Sequence, residues 1–283
     1  MKDSLRVPAA ASALAAALLL VGQRIWAQDL PLFDAHIHYN QPAWSTIDPR
    51  RALDILERAG IVRAIVSSTP DEGTRRLYEL APQRIVPFLR LYRDPADPGR
   101  WTTDTRLLEY MDQELQRGIY QGIGEVHLEA AQADGPVVRR AAALAGSRGL
   151  FLQVHTDDAG IRRLLELYPG VRMLWAHAGM TAGPQAVERL LERSPDLWVE
   201  LALRRDVAPG GTLAPDWRAL FMRFPDRFLV GTDTWVTSRW AEVEDEAAFT
   251  RRWLLQLPRE VREKIAFGNG QRLFGAARIP PGD

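Results

Sequence analysis

Short apolar runs recur along the chain, and a stretch with helical periodicity follows most of them. The runs are apolar throughout rather than alternating, which is typical of strands buried on both faces of a parallel sheet. They cover residues 31–35, 62–67, 85–89, 119–123, 150–154, 171–176, 197–202 and 228–230. Between them, amphipathic helices are predicted at residues 50–59, 102–117, 137–148, 161–168 and 184–193.

Eight strands joined by helical crossovers predict an α/β fold of the (β/α)8 TIM-barrel type. The chain has 283 residues, and single barrels of this kind commonly need about 250. An open doubly wound sheet is the alternative, because it shows the same alternation of elements. No linker composition interrupts residues 28–283, so we expect them to form a single domain.

The first residues of the chain have the pattern of an export signal. Lys2 and Arg6 precede an apolar stretch at residues 9–21, which is shorter than the roughly 20 residues of a membrane span. Ala27 follows at the place of a small cleavage-site residue. We therefore expect a signal peptide over residues 1–27, an exported, periplasmic protein, and no membrane span in the mature chain. An uncleaved anchor is the alternative.

Charge and cysteine content narrow the classes of partner. Lys+Arg and Asp+Glu both number 36, so the formal net charge is zero and gives no support for a nucleic-acid partner. The chain has no cysteine, so any metal site must use nitrogen and oxygen ligands. We expect a small-molecule substrate, and the amphipathic outer helices allow a homodimer.

All histidines of the chain fall at or just after the carboxyl end of a predicted strand, which in a barrel is the catalytic face. His36 and His38 are two residues apart on a strand, so their side chains point the same way and can chelate one divalent cation. Taken alone, the pair also fits ordinary polar residues near a strand end. The five histidines are His36, His38, His127, His155 and His177.

Carboxylates follow two of the same strands. Glu125 comes after the fourth strand and Asp233 after the eighth. Each such residue has an ordinary explanation: Asp233 could cap a helix, Glu125 could pair with an arginine, and His155 could be a core histidine. Six potential ligands on one rim nevertheless indicate a shared metal centre.

The order of these residues resembles the amidohydrolase superfamily. That order is His-X-His after strand one, Glu after four, His after five and six, and Asp after eight. The segment 267–274, Phe-Gly-Asn-Gly-Gln-Arg-Leu-Phe, is similar to the closing segment of the amidohydrolase-related branch, where Asn269 would begin the last helix. Gly124-Glu125 resembles TatD-like and phosphotriesterase-like members, in which the strand-four acid bridges two metals. The resemblance spans about residues 32–275.

The resemblance implies a divalent metal, zinc above all, as one or two ions. It assigns His36, His38 and Asp233 to a first metal and Glu125 to a bridge. It assigns His155 and His177 to a second metal; in one-metal relatives His155 joins the first site and His177 is free to polarise the substrate. The carbamylated lysine that commonly bridges the metals in this family has no candidate here, because Lys264 is the only lysine after the predicted signal peptide, so the bridging role falls to Glu125. The family gives no counterpart for His127, which fits a pocket wall or a surface position equally well.

The resemblance also implies a reaction. Asp233 would hold the attacking water and accept its proton, while the metal or His177 polarises the bond. This suits hydrolysis of an amide, ester, lactone or phosphoester. A nonoxidative decarboxylase of an aromatic or unsaturated acid is the first alternative, and a barrel that binds metal or ligand without catalysis is the second.

Four residues in loops at this face are candidates for substrate binding. Arg90, and Arg204 or its neighbour Arg205, could clamp a carboxylate or phosphate. Trp44 and Trp235 could form an apolar wall. Each also fits a surface or packing role.

Overall fold

The computed structural model describes residues 30–275. Eight strands follow one another along this part of the chain. They are β1 (Leu32–Ile37), β2 (Ile61–Val66), β3 (Ile85–Leu89), β4 (Gly122–His127), β5 (Phe151–His155), β6 (Arg172–Trp175), β7 (Leu197–Glu200) and β8 (Phe228–Leu229). The predicted signal peptide, residues 1–27, lies outside the described residues.

The strands form one parallel sheet in the order of the sequence, from β1 to β8. The sheet returns to its start through a parallel bridge between Asp34 and Val230, where the Ala35 N–H donates to the Val230 carbonyl at 2.8 Å. The result is a nearly closed (β/α)8 barrel, which confirms the predicted TIM-barrel fold and excludes the open sheet.

Helices pack outside the sheet and connect the strands. Two helix starts are capped by aspartates: Asp48 accepts the Arg51 N–H, and Asp157 accepts the Gly160 N–H, each satisfying a free helical donor. The helices are α1 (Pro49–Arg58), α2 (Glu72–Leu80), α3 (Arg106–Leu115), α4 (Pro136–Arg148), α5 (Asp158–Leu167), α6 (Pro184–Arg193), α7 (Pro215–Arg223), α8 (Val243–Leu254), α9 (Arg259–Glu263) and α10 (Asn269–Phe274).

Strand β4 and helix α3 have bounds that differ clearly from the predicted ones. Strand β4 runs from Gly122 to His127, so it begins three residues later than the apolar run 119–123. Glu125 therefore lies within the strand rather than after it. Helix α3 is shorter than the predicted 102–117, and the Asp104 carboxylate accepts the Arg106 N–H at its first residue.

Aromatic side chains fill the amino-terminal end of the barrel. Phe274, from α10, packs against Phe33 and Phe151 at ring-centroid distances of 5.7 and 4.9 Å. Asn269 begins α10, as predicted, and its Nδ2 donates to the carbonyls of Pro225 and Phe228, both at 2.9 Å. This end is thus closed by α10, so the opposite, carboxyl end is the open face.

Within residues 30–275 the helices are all too short or too polar to cross a membrane.

Candidate metal centre

Strand β1 places two imidazoles side by side at the open face. Because strand side chains alternate, His36 and His38 point the same way, and their Nε2 atoms are 3.0 Å apart. Both rings are buried. The His36 Nδ1 donates to Glu200 Oε2 at 2.8 Å, and the His38 Nδ1 donates to the Ser67 carbonyl. With Nδ1 carrying the proton, each Nε2 presents a lone pair to the other, an arrangement that a shared cation stabilises.

A buried carboxylate oxygen completes this group. Asp233 Oδ1 is buried without a hydrogen-bond partner and lies 3.4 Å from His38 Nε2 and 3.8 Å from His36 Nε2. A tetrahedral zinc with bonds of about 2.0–2.1 Å holds its ligands about 3.4 Å apart. The backbone fixes the side chain: Asp233 has a φ of 53° and its N–H donates to the His36 carbonyl at 2.8 Å. These three ligands therefore fit a divalent ion.

Glu125 lies between two groups of imidazoles. Its Oε2 is 3.4 Å from His36 Nε2 and 3.3 Å from His38 Nε2. Its Oε1 is 3.0 Å from His155 Nδ1 and 3.6 Å from His177 Nε2. The two oxygens thus face different ligand groups, which is the geometry that a bridging carboxylate requires.

Gly124 allows strands β4 and β5 to lie close together beside Glu125. Its φ is +125°, and a Cβ at this position would lie 2.2 Å from the Gln153 carbonyl oxygen on β5. Only glycine avoids both the unfavourable φ and the clash. The residue before Glu125 therefore sets how closely β4 and β5 approach at the centre.

His177 lies on a tight turn after β6. Its φ is 55°, its Nδ1 donates to the Ala202 carbonyl at 3.0 Å, and its Nε2 lies 3.8 Å from Asp233 Oδ2. The Arg204 guanidinium holds this turn, donating to the carbonyls of His177 and Ala178 at 3.0 and 3.2 Å. His177 is therefore fixed with its free nitrogen towards the centre.

Opposite charges at the centre shift the pKa values of its members. Burial opposes the charged form of His36, but Glu125, Asp233 and Glu200 outweigh it and raise the His36 pKa well above its usual 6.5. The pKa of Glu125 is held well below its usual range because His36, His155 and His177 outweigh the effect of burial. Such mutual stabilisation of charge is common at functional sites.

The pKa values of His38 and His177 shift in opposite directions. Burial and the guanidinium of Arg90 lower the pKa of His38. Burial would also lower the pKa of His177, but the nearby Glu125 and Glu200 carboxylates raise it. The charge balance of the site thus depends on Glu200 as well as on the predicted ligands.

Glu200 is the functional residue that the sequence analysis missed. It ends strand β7, is fully buried, and binds both the His36 ring and the His177 N–H, at 2.8 and 3.3 Å. A carboxylate that accepts the second ring nitrogen of a metal-binding histidine fixes its tautomer and orientation. The signal was present, because an acid at the carboxyl end of a buried strand cannot be an ordinary surface residue.

The centre opens into a cleft of about 740 Å³. Of the predicted substrate-binding residues, Arg90 and Trp235 line it. Arg90 is buried and its Nη2 donates to Glu125 Oε2 at 3.2 Å, whereas Trp235 is 55% exposed. The other lining residues are Asn40, Pro42, Ala43, Thr69, Tyr92, Pro95, Pro98, Glu125, His127, His155, Met180, Leu203, Asp233, Thr234, Val236 and Thr237.

The structure does not bring Arg204 or Trp44 into this cleft. The Arg204 guanidinium is fully used by backbone carbonyls and by Asp206, so it cannot clamp a substrate. Trp44 donates its Nε1–H to the Tyr39 carbonyl and stacks under Arg76. Arg205, the neighbouring alternative, pairs with Glu246 instead. Their roles here are structural.

Fold and site together define a class: a parallel (β/α)8 barrel with histidines and carboxylates gathered at the carboxyl ends of its strands. The sequence model of the family described as amidohydrolase matches residues 33–276. The chain belongs to this amidohydrolase family and is an enzyme of its superfamily, with a metal-dependent hydrolase or related activity on a small molecule. Proteins of the family use divalent metals, and His36, His38 and Asp233 could hold one.

Several solved structures share the fold at low sequence identity. A TatD homologue from Escherichia coli K12 is 19% identical, with a TM-score of 0.64, over 87% of this chain and 98% of its own. A probable 2-pyrone-4,6-dicarboxylic acid hydrolase from Acinetobacter baumannii is 13% identical, with a TM-score of 0.59, over 86% and 99%. An amidohydrolase from Burkholderia multivorans with bound zinc is 17% identical, with a TM-score of 0.57, over 87% and 99%.

Proposed function

We propose that this protein is a metal-dependent hydrolase that activates water to cleave an amide, ester, lactone or phosphoester bond of a small molecule. One observation carries the proposal: the buried, unpartnered Asp233 Oδ1 faces the lone pairs of His36 Nε2 and His38 Nε2. A carboxylate oxygen without a donor, next to two converging imidazole lone pairs, suits a cation and a water at the floor of an open cleft.

Zinc is the metal that we propose. The first site offers two imidazole nitrogens and one carboxylate oxygen, and three protein ligands with an open position are typical of catalytic zinc. The Burkholderia multivorans relative has bound zinc, which supports this choice. When bound, such an ion lowers the pKa of a coordinated water from 15.7 to about 7 and polarises the scissile bond.

Two residues of the chain would handle the proton and the substrate. Asp233 has one oxygen towards His36 and His38 and the other 3.8 Å from His177 Nε2, so it can take a proton from water and pass it to the leaving group. His177 keeps its Nδ1 proton on the Ala202 carbonyl and presents Nε2 to the centre. We assign it to orienting or polarising the reacting group when it is not a ligand.

The cleft suggests how the substrate is held. Trp235 lies at its exposed edge and can cover an apolar group. Arg90 lies deeper, where its guanidinium already contacts Glu125, so a substrate anion would have to share it. We propose that both residues bind the substrate, with Arg90 closer to the reacting bond.

A substrate panel and an isosteric variant test this function. Lactones, esters, amides and phosphoesters are assayed with zinc-loaded protein, and Asp233→Asn should lower kcat by about 100-fold or more, because general acid–base catalysis contributes 10²–10⁴-fold. Asp216→Asn, the same change at an exposed position on α7, is the matched control and should keep full activity. Metal content is measured in each variant.

Two results would contradict the proposal. Unchanged turnover in Asp233→Asn would remove the aspartate from the chemistry. Release of carbon dioxide from aromatic or unsaturated acids, without hydrolysis of any panel member, would move the enzyme to the decarboxylase alternative.

We also propose export to the periplasm, on the sequence pattern of residues 1–27. The mature amino terminus should begin after Ala27, and amino-terminal sequencing of protein from the natural host checks this. A mature protein that begins at Met1 would contradict cleavage.

A further inference from the structure

A second group of ligand atoms lies on the cleft side of Glu125. Glu125, His127 and His155 each offer one atom, and these atoms all lie within 4.8 Å of one another. Glu125 Oε1 is 3.0 Å from His155 Nδ1 and 3.9 Å from His127 Nε2. All three residues line the cleft, whereas His177 does not.

His127 is held as the ligands of the first site are held. Its Nδ1 lies 3.0 Å from the Tyr92 hydroxyl, which also accepts the His127 backbone N–H at 2.7 Å. The backbone is fixed further by Trp101, whose Nε1–H donates to the His127 carbonyl at 2.6 Å. With its proton on Nδ1, His127 would donate to the Tyr92 oxygen and turn Nε2 towards Glu125, as His36 donates to Glu200 and His177 donates to the Ala202 carbonyl.

We propose that Glu125 Oε1, His155 Nδ1 and His127 Nε2 hold a second divalent cation, with Tyr92 as the residue that orients His127. This rests on the proposed metal centre, in which Glu125 Oε2 faces the first ion. His127 has no counterpart in the ligand set that the resemblance implies, so it would be a ligand particular to this chain. His177 Nε2 lies between Glu125 Oε1 and Asp233 Oδ2, at 3.6 and 3.8 Å, and remains available to the reacting group.

The two sites differ in exposure and in charge. The side chains of His36, His38 and Asp233 are at most 6% exposed, whereas those of His127 and His155 are 42% and 29% exposed. The Arg90 guanidinium, 3.2 Å from Glu125 Oε2, also repels a further cation. The second ion should therefore bind more weakly, exchange with solvent and meet the substrate directly.

Metal titration without substrate tests the proposal. Metal-free full-length mature protein is titrated with Co²⁺, and binding is monitored by calorimetry and visible absorption. In a separate measurement, the bound zinc is determined at a series of free Zn²⁺ concentrations. The wild type should bind two equivalents of different affinity. His127→Ala and His127→Gln should keep the tight equivalent and weaken the other by at least tenfold, and Tyr92→Phe should weaken it by about 10–100-fold. Val236 lines the same cleft and has no ligand atom in its side chain, so Val236→Ala is the control.

Three results would overturn the second site. They are a single equivalent in the wild type, an unchanged weaker equivalent in both His127 variants, and loss of the tight equivalent together with the weak one in variants whose circular dichroism is native. A different result would reject the proposed hydrolase function. Two bound equivalents with no turnover of any panel substrate would leave this ligand set intact and reject the function.

Discussion

His36 has contacts on both of its ring nitrogens, and each contact has a different purpose. Its Nε2 faces His38, Glu125 and Asp233, while its Nδ1 is bound by Glu200. Glu200 is one of the carboxylates that raise the pKa of His36, and the same negative charge favours a cation beside the ring. The metal affinity of the centre therefore depends on a residue that need not touch the metal.

Glu200→Gln tests that dependence at the scale of one residue. The amide keeps the shape of the side chain but loses its charge, so the His36 ring is less basic and less firmly oriented. We expect zinc affinity at the first site to fall by about 10–100-fold. Competition with a chromophoric chelator measures the change, and native circular dichroism serves as the folding control. Wild-type affinity in this variant would show that Glu200 does not support the ligand.

Asp71 is a buried carboxylate outside the centre whose titration should affect stability. Burial raises its pKa to about 6, against 3.8 ordinarily, although Tyr120 and Arg75 donate to it. The folded state holds the proton of Asp71 more tightly than the unfolded state. The contribution of Asp71 to the free energy of unfolding is therefore fully present below about pH 4, and it is lost as the pH rises to about 6. One pKa unit corresponds to about 1.36 kcal/mol, so the loss should be about 3 kcal/mol.

Asp71→Asn removes this titration and isolates its effect. The difference in unfolding free energy between the variant and the wild type should change by about 3 kcal/mol between pH 4 and pH 7, in favour of the variant at higher pH. Urea unfolding at four pH values measures it, and taking the difference cancels metal loss and other titrations common to both proteins. A difference that does not vary with pH would mean that Asp71 is charged in the folded protein.

At the scale of elements, β4 explains both what the sequence predicted and what it left open. An apolar run followed by Gly124-Glu125 was sufficient to predict a strand with a carboxylate at its end. The apolar run ended at Ile123, so it did not reveal that the strand continues to His127. The sequence of β4 also did not reveal that Tyr92 holds the His127 ring, because Tyr92 follows the neighbouring strand, β3.

Helix α10 is the element that closes the barrel floor, and one glycine allows it to do so. A Cβ on Gly270 would lie 2.2 Å from the Phe33 ring, whereas a Cβ on Gly99 would meet nothing within 4 Å. Gly270→Ala should therefore cost about 1–3 kcal/mol by overpacking, despite the better helix propensity of alanine. Gly99→Ala is the matched control and should change stability little. Urea unfolding compares them, and equal stabilities would show that α10 does not pack tightly on β1.

At the scale of the whole molecule, the barrel gathers six predicted ligands from five separate strands. Their position could be predicted because carboxyl ends of parallel strands share one face. The roles of Arg204 and Trp44 could not be predicted, because the side chain of a loop residue on that face can point into the cleft or back into the protein. Glu200 was missed because its partners come from β1 and β6, and only the closed fold shows them together.

The central claim is that His36, His38 and Asp233 hold a metal ion at the floor of the cleft. Crystals of protein purified without chelator and supplied with zinc, measured on both sides of the zinc absorption edge, test it most directly. We predict an anomalous peak bonded to His36 Nε2, His38 Nε2 and Asp233 Oδ1 at about 2.0–2.2 Å. An anomalous map without a peak among these three atoms, in crystals whose side chains there are ordered, would contradict the account.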